Sequence, residues 1–168
     1  MKKLVISIVL INLLAACASN KPADTSTASG STAASDSSAS AGYTGKTDMN
    51  AFNDPNGLLA KRSVYYPFDV SAVQDADKPA VQAHAAYLRD NPNRNARLEG
   101  NCDERGSNEY NLALGQRRAD GVKKMLELGG AKAGQLESVS YGEEKPRASG
   151  HEEASWAQNR RTDLNYAN

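Results

Sequence analysis

The chain is short of the residues from which covalent scaffolds and most active sites are built. Two cysteines in 168 residues are too few for a disulfide framework. His84 and His151 are its two histidines, and Cys102 with one of them and Asp103 falls short of a zinc set, which needs three or four ligands. Aromatics make up 6% of the chain, so the core is expected to be small and aliphatic. Net charge is also missing: 20 Lys and Arg stand against 20 Asp and Glu. That argues against a nucleic-acid binder, which needs a basic face to neutralise phosphates. Asp103 and Glu104 are adjacent and point apart on an extended chain, a poor acid–base pair for glycan hydrolysis. His84 lies beside the apolar stripe of a predicted helix and reads as a packing residue, whereas His151, in a polar loop, reads as solvated. No enzyme, metal or cofactor is expected; a binding protein is.

Long apolar runs are equally scarce. The one present, residues 4–14, is broken only by Ser7 and Asn12 and is shorter than the roughly 20 residues that span a bilayer. Lys2 and Lys3 precede it; Ala15 and Ala16 follow. This is the layout of a secretory signal over residues 1–16, with a short anchor or a core helix as the alternative. Leu14-Ala15-Ala16-Cys17 resembles the bacterial lipobox, in which the cysteine sulfur takes a diacylglycerol and the freed amine a third acyl chain; the alternative is a Cys17 that is removed or stays a free thiol. Each buried methylene contributes about 0.8 kcal/mol, and more than one chain is needed for stable anchoring. In the lipoprotein resemblance, Ala18 rather than Asp implies sorting to the outer membrane, with the chain facing the periplasm. Losing Lys2 and Lys3 leaves 18 basic side chains against 20 acidic, which argues against steering to anionic lipid by bulk charge.

Residues 17–50 read as a lipidated cysteine followed by a disordered linker. From Ala18 to Gly42, 20 of 25 residues are Ala, Ser, Thr or Gly, with no large apolar residue among them, too little to offset the entropy of ordering. Such a leash has an r.m.s. reach on the order of 30 Å. The domain proper is expected over residues 57–168. Residues 63–68 alternate as a strand with Val64, Tyr66 and Phe68 on one face, at an edge or ending at Pro67. Asp77 is placed to cap a helix whose inner face is Val81, Ala85 and Leu88 and which stops at Asn91-Pro92. A second strand spans 94–100, the longest helix 108–128, a third strand 136–141, a short helix 153–161, and a fourth strand closes around Leu164 and Tyr166. The fold class is α+β, with helices on one face of the sheet.

The long helix carries an anomaly. At 100° per residue, Tyr110, Leu114, Gly121, Met125 and Leu128 fall roughly between 0° and 60°, and Leu112, Ala119, Val122 and Leu126 roughly between 120° and 200°. Arg118, at roughly 80°, falls in the middle of the apolar stripe they form; Arg117 falls on the polar side. A guanidinium on an inward stripe must be paired: either it meets an internal carboxylate, or it waits for an anionic ligand, for which its planar fork is suited. Upstream, Gly100-Asn101-Cys102-Asp103-Glu104-Arg105-Gly106 forms a polar turn at a strand end, where binding residues gather. Asp103 and Arg118 could hold the two charged ends of a zwitterion, or they could hold each other.

That turn, followed by Glu109-Tyr110-Asn111, Leu114-Gly115, Arg117-Arg118-Ala119, Ser140-Tyr141-Gly142-Glu143-Glu144-Lys145-Pro146 and Asn159-Arg160-Arg161, is similar to the carboxy-terminal OmpA-like domain family. More narrowly it resembles the peptidoglycan-associated lipoproteins, over about residues 63–166. The resemblance implies an OmpA-like β-α-β-α-β sandwich of helices on a four-stranded mixed sheet. It also implies noncovalent binding of peptidoglycan through meso-diaminopimelate of the stem peptide, in an outer-membrane lipoprotein of the Tol-Pal system that supports envelope integrity and constriction during cell division. The implied partners are peptidoglycan, TolB and the Tol complex, and outer-membrane lipid through acylated Cys17. By the same resemblance Asp103 takes the ligand's ammonium and Arg118 its carboxylate. The backbone of Phe68 and Asp69 lines the pocket, Asn111 and Leu114 face it, and Asn159, Arg160 and Arg161 lie at its rim. The family's His-Thr before the acidic pair is here Asn101-Cys102. Cys102 is expected to be buried and inert, or else redox-labile. The competing classes are a flagellar-stator anchor, against which the lipobox argues, and a pure protein-interaction lipoprotein.

Overall fold

The computed structural model describes residues 52–167, so the expected signal, Cys17 and linker lie outside the described residues. Strands β1 (Ser63–Tyr65), β2 (Ala96–Asn101), β3 (Leu136–Gly142) and β4 (Arg161–Tyr166) form one sheet in the order β1-β4-β2-β3. β2 and β3 run parallel; β4 is antiparallel to both β1 and β2, which makes the sheet mixed. Helices α1 (Lys78–Asp90), α2 (Asn108–Leu128) and α3 (Glu153–Asn159) alternate with the strands. β2 alternates buried Ala96 and Leu98 with outward Arg97 and Glu99. Its inward side chains join Val64, Leu136, Leu164, Val81, Ala85, Leu88, Ala119, Val122 and Leu126 in a largely aliphatic core.

Several local expectations shift. β1 ends at Tyr65, since Pro67 has no N–H to donate to a ladder, and it occupies an edge. Phe68 is therefore not an inward strand residue; it sits in the following turn, 57% exposed. Asp77 precedes α1 but does not cap it: its Oδ2 accepts from the Tyr65 N–H at 3.0 Å and ties β1 to the helix start. α2 is capped by Ser107, whose Oγ accepts from the Tyr110 N–H. Its buried face comprises Asn111, Leu114, Gly115, Arg118, Ala119, Val122 and Leu126, an arc of about 140° measured at 100° per residue. The apolar stripe is thus one face, with Asn111 and Arg118 near its centre. Tyr110, Leu112 and Leu128 fall just outside that arc and are exposed. α3 stops at Asn159, whose Oδ1 accepts from the Arg147 and Ala148 N–H groups, and Arg161 already belongs to β4.

Two glycines bring α2 down onto β2 beside the strand end. A Cβ on Gly100 would overlap the backbone carbonyl of Gly115, which cannot move aside without the helix. Gly100→Ala is expected to cost about 1–3 kcal/mol or more in urea unfolding; an unchanged midpoint would show that α2 rides higher than described.

At the other end of the sheet, packing reaches ahead of residue 57. Phe52 meets Tyr87 edge-on at 4.7 Å and Tyr166 at 5.0 Å between ring centres, with the Arg62 guanidinium over its ring. Beside it His84 is fully buried, its Nδ1 2.8 Å from the Tyr166 hydroxyl and its Nε2 2.9 Å from the Lys61 carbonyl. Tyr166 pairs with Ala96, the first residue of β2. Phe52 therefore packs at the end of β2 opposite the turn that carries Asp103.

Candidate functional site

The β2 end, the start of α2, the turn after β1 and the end of α3 converge on a narrow, largely filled cleft with about 10 Å³ of free space. Phe68, Asp69, Asp103, Asn111, Leu114, Arg118 and Arg160 all line it, so the fold brings together every residue assigned from the sequence to ligand contact. Cys102, Arg105 and Tyr110 complete the lining. Of the expected rim residues, Asn159 binds the backbone of residues 147 and 148. Arg161 donates to Asp163 at 2.8 Å, because strand β4 turns it away from the cleft.

Arg118 is fully buried and is not neutralised by a carboxylate among the described residues. Its Nε donates to the Val70 carbonyl and its Nη1 to the Asn101 carbonyl, both at 2.9 Å; weaker contacts reach Cys102 Sγ and the Pro67 carbonyl at 3.4 Å. The Tyr66 ring lies beneath it, 4.8 Å from centroid to guanidinium carbon. Four of its five N–H groups are thus satisfied by backbone and sulfur, leaving one on Nη2 without a partner among the described residues. Burial lowers its pKa, yet from so high an ordinary value that the charge stays. The expected alternatives for Arg118 resolve in favour of an unpaired cation, held by carbonyl dipoles at the wall of a cleft.

Asp103 is likewise buried, but it is already neutralised. Its Oδ1 accepts from the Arg105 backbone N–H at 3.1 Å and from Arg105 Nε at 3.2 Å; its Oδ2 accepts from Arg105 Nη2 at 2.6 Å and Arg160 Nη1 at 3.2 Å. Burial pushes the carboxyl up, but these hydrogen bonds outweigh it and hold the group below the ordinary carboxylate range. Arg160, at the end of α3, also donates to the Tyr66 carbonyl at 2.9 Å and to Glu153 at 2.5 Å. Asp103 and Arg118 do not bind each other among these contacts.

The remaining residues set the mouth. Asp69 has φ +58°, a strained value for a residue with a Cβ, and its carboxylate accepts from the Tyr110 hydroxyl across the opening. Asn111 donates to the Asp103 carbonyl at 3.2 Å and to Glu143 at 2.6 Å, tying the strand-end turn to the loop after β3. Cys102 is buried, donates to the Asn111 carbonyl, and has its thiol pKa raised by burial, consistent with an inert floor residue. His151 is exposed but not merely solvated: its Nδ1 lies 2.7 Å from Glu104, which also accepts from Trp156 Nε1 at 2.9 Å. Hydrogen bonding to Glu104 pushes the His151 pKa up. Arg105 was legible only as part of a motif. The spacing Asp103-x-Arg105, which allows one residue to chelate the other within a turn, is the signal from which its reach to the acid could be read.

The chain matches the OmpA family over residues 65–160. It is 50% identical over 104 residues to the peptidoglycan-associated lipoprotein of Pasteurella multocida, covering 62% of this chain and 69% of that one. To the Pseudomonas putida peptidoglycan-associated lipoprotein it is 47% identical over 127 residues, covering 74% and 75%. The crystal structure of the peptidoglycan-associated lipoprotein from Burkholderia pseudomallei superposes with a TM-score of 0.68 at 56% identity, over 70% of this chain and 99% of that one. The C-terminal domain of Helicobacter pylori MotB shares the fold at 19% identity, with a TM-score of 0.57 over 62% of this chain and 82% of that one. The chain belongs to the OmpA family and, within it, to the peptidoglycan-associated lipoproteins.

Proposed function

We propose that the domain binds peptidoglycan noncovalently, seating the zwitterionic end of meso-diaminopimelate in the cleft, the ammonium at Asp103 and the carboxylate at Arg118. The observation that carries this reading is a buried acid and a buried base on one cleft wall with no bond between them. A charge-assisted hydrogen bond contributes about 1.5–3 kcal/mol. Two of them supply about 3–6 kcal/mol before the cost of association, so a single site grips weakly. An acid held below its ordinary pKa by two arginines is a weak base and carries no proton to give, which favours a binding role over hydrolysis. Cys17 supplies an acyl anchor in the outer membrane, the linker a leash into the periplasm, and confinement near the wall raises the effective ligand concentration. The packing of Phe52 at the far end of β2 supports this arrangement, since chain entry and cleft then lie at opposite ends of the sheet. Participation with TolB and the Tol complex in envelope constriction rests on the family resemblance.

The test is co-sedimentation of the full chain with purified peptidoglycan. Asp103→Asn is expected to reduce the pelleted fraction at least tenfold while leaving the fold intact, and Arg117→Ala, on the exposed side of α2, to leave it unchanged. Wild-type pelleting by Asp103→Asn would remove the cleft from the account.

A further inference from the structure

Resting on the reading of the cleft as a zwitterion site, we propose that Arg105 is a displaceable internal cation that holds Asp103 until a ligand's ammonium replaces it, and so sets the selectivity of the site for ligands with a free ammonium. The first argument is stoichiometric. A carboxylate offers about four acceptor positions. Those of Asp103 are taken by the Arg105 N–H, Nε and Nη2 and by Arg160 Nη1. No position is left for an ammonium, so one of these donors must leave for a ligand to bind.

Exposure decides which. The Arg160 side chain is 6% exposed and is fixed at its other nitrogens by the Tyr66 carbonyl and Glu153. The Arg105 side chain is 31% exposed. It also has a second seat. Its guanidinium lies between the Phe68 and Trp156 rings, 4.1 Å from each centroid, and its Nη2, 2.6 Å from Asp103, is 3.7 Å from Glu153 Oε2. A short slide within the aromatic sandwich exchanges Asp103 for Glu153 and keeps both cation–π contacts, which bind a guanidinium without demanding one rotation about its plane. Trp156 is held in place for this by its N–H bond to Glu104. The exchange conserves charge: an ammonium enters as a guanidinium leaves, and Asp103 is never buried bare.

The experiment is calorimetric titration of the full chain with a stem tripeptide ending in meso-diaminopimelate and with the same peptide N-acetylated at the terminal ammonium. Arg105→Gln is expected to bind the free-ammonium peptide three- to tenfold more tightly than wild type, with no gain for the acetylated one. Glu153→Gln, which keeps Arg105 but removes its second seat, is expected to bind the free-ammonium peptide several-fold more weakly. Weaker or equal binding by Arg105→Gln, with its thermal unfolding intact, overturns the proposal and makes Arg105 a ligand contact or a bystander. If Arg105→Gln fails to fold, the Glu153→Gln result decides alone, and wild-type affinity there overturns it. Failure of the cleft reading itself is separate: it shows as unchanged binding in Asp103→Asn.

Discussion

Arg118→Ala should lose about 3–5 kcal/mol of folding stability along with peptidoglycan binding. The guanidinium is the largest of the fully buried side chains and the common donor to three backbone carbonyls from two segments, Pro67 and Val70 in the turn after β1 and Asn101 at the end of β2. Removing it strips the buried Asn101 carbonyl and the part-buried Val70 carbonyl of this donor, while Pro67 keeps the Val70 N–H; each fully desolvated group left unpaired costs about 1–3 kcal/mol, and the truncation opens a void where the chain cannot easily collapse. Domains of this size are stable by only about 5–15 kcal/mol, so the urea midpoint should drop markedly. Arg117→Ala, one residue away and exposed, should stay within about 0.5 kcal/mol of wild type. Binding must therefore be compared at a temperature where the Arg118 variant is still folded. Arg118→Lys keeps a charge in the cleft but offers three donors in place of five; it should recover part of the stability and little of the binding. Full stability in Arg118→Ala would mean that the turn after β1 is held by something else.

That dual role explains which parts of the site were legible in the sequence. The helix periodicity exposed Arg118 as misplaced because a charge on an inward arc violates a one-residue rule that needs no knowledge of the fold. Its partners were not legible. The carbonyls of Pro67, Val70 and Asn101 carry no side-chain signature, and nothing in periodicity distinguishes a buried cation held by dipoles from one held by a carboxylate. The same holds for Asp103. Its position at a strand end marked it, but the saturation by Arg105 and Arg160 depends on how far α3 runs. α3 stops at Asn159 through side-chain bonds to the backbone of residues 147 and 148, a tertiary event. The strands and α2 were readable because strand alternation and helical periodicity are local. Asn111, beside Arg118 near the centre of the buried face, carries no such signal in hydropathy, which assigns a polar amide to solvent.

The second large effect lies at the opposite end of the sheet and is one of pH. Burial drives the His84 pKa down from its ordinary 6.5 to about 4, and the hydrogen bond to the Lys61 carbonyl offsets only part of that shift. The neutral tautomer with the proton on Nε2 fits both contacts: it donates to Lys61 O and accepts at Nδ1 from the Tyr166 hydroxyl. Since the folded value lies below the unfolded one, the unfolded chain takes up a proton first as the pH falls. The contribution of neutral His84 is complete above about pH 6.5, declines through the window down to about pH 4, and is flat below it. At 1.36 kcal/mol per unit the loss between pH 7 and pH 4.5 is about 2–3 kcal/mol. Carboxylates titrate in the lower part of this window, so the quantity to read is the difference between wild type and His84→Gln in urea unfolding at each pH. The variant should be less stable than wild type at pH 7, and the gap should narrow by about 2–3 kcal/mol as the pH is lowered to 4.5. A constant gap would show that His84 packs without titrating. Because Phe52 packs against His84, Tyr87 and Tyr166, the segment through which the chain enters the domain should loosen first on acidification, visible as earlier proteolysis near residue 52 while the cleft end remains protected.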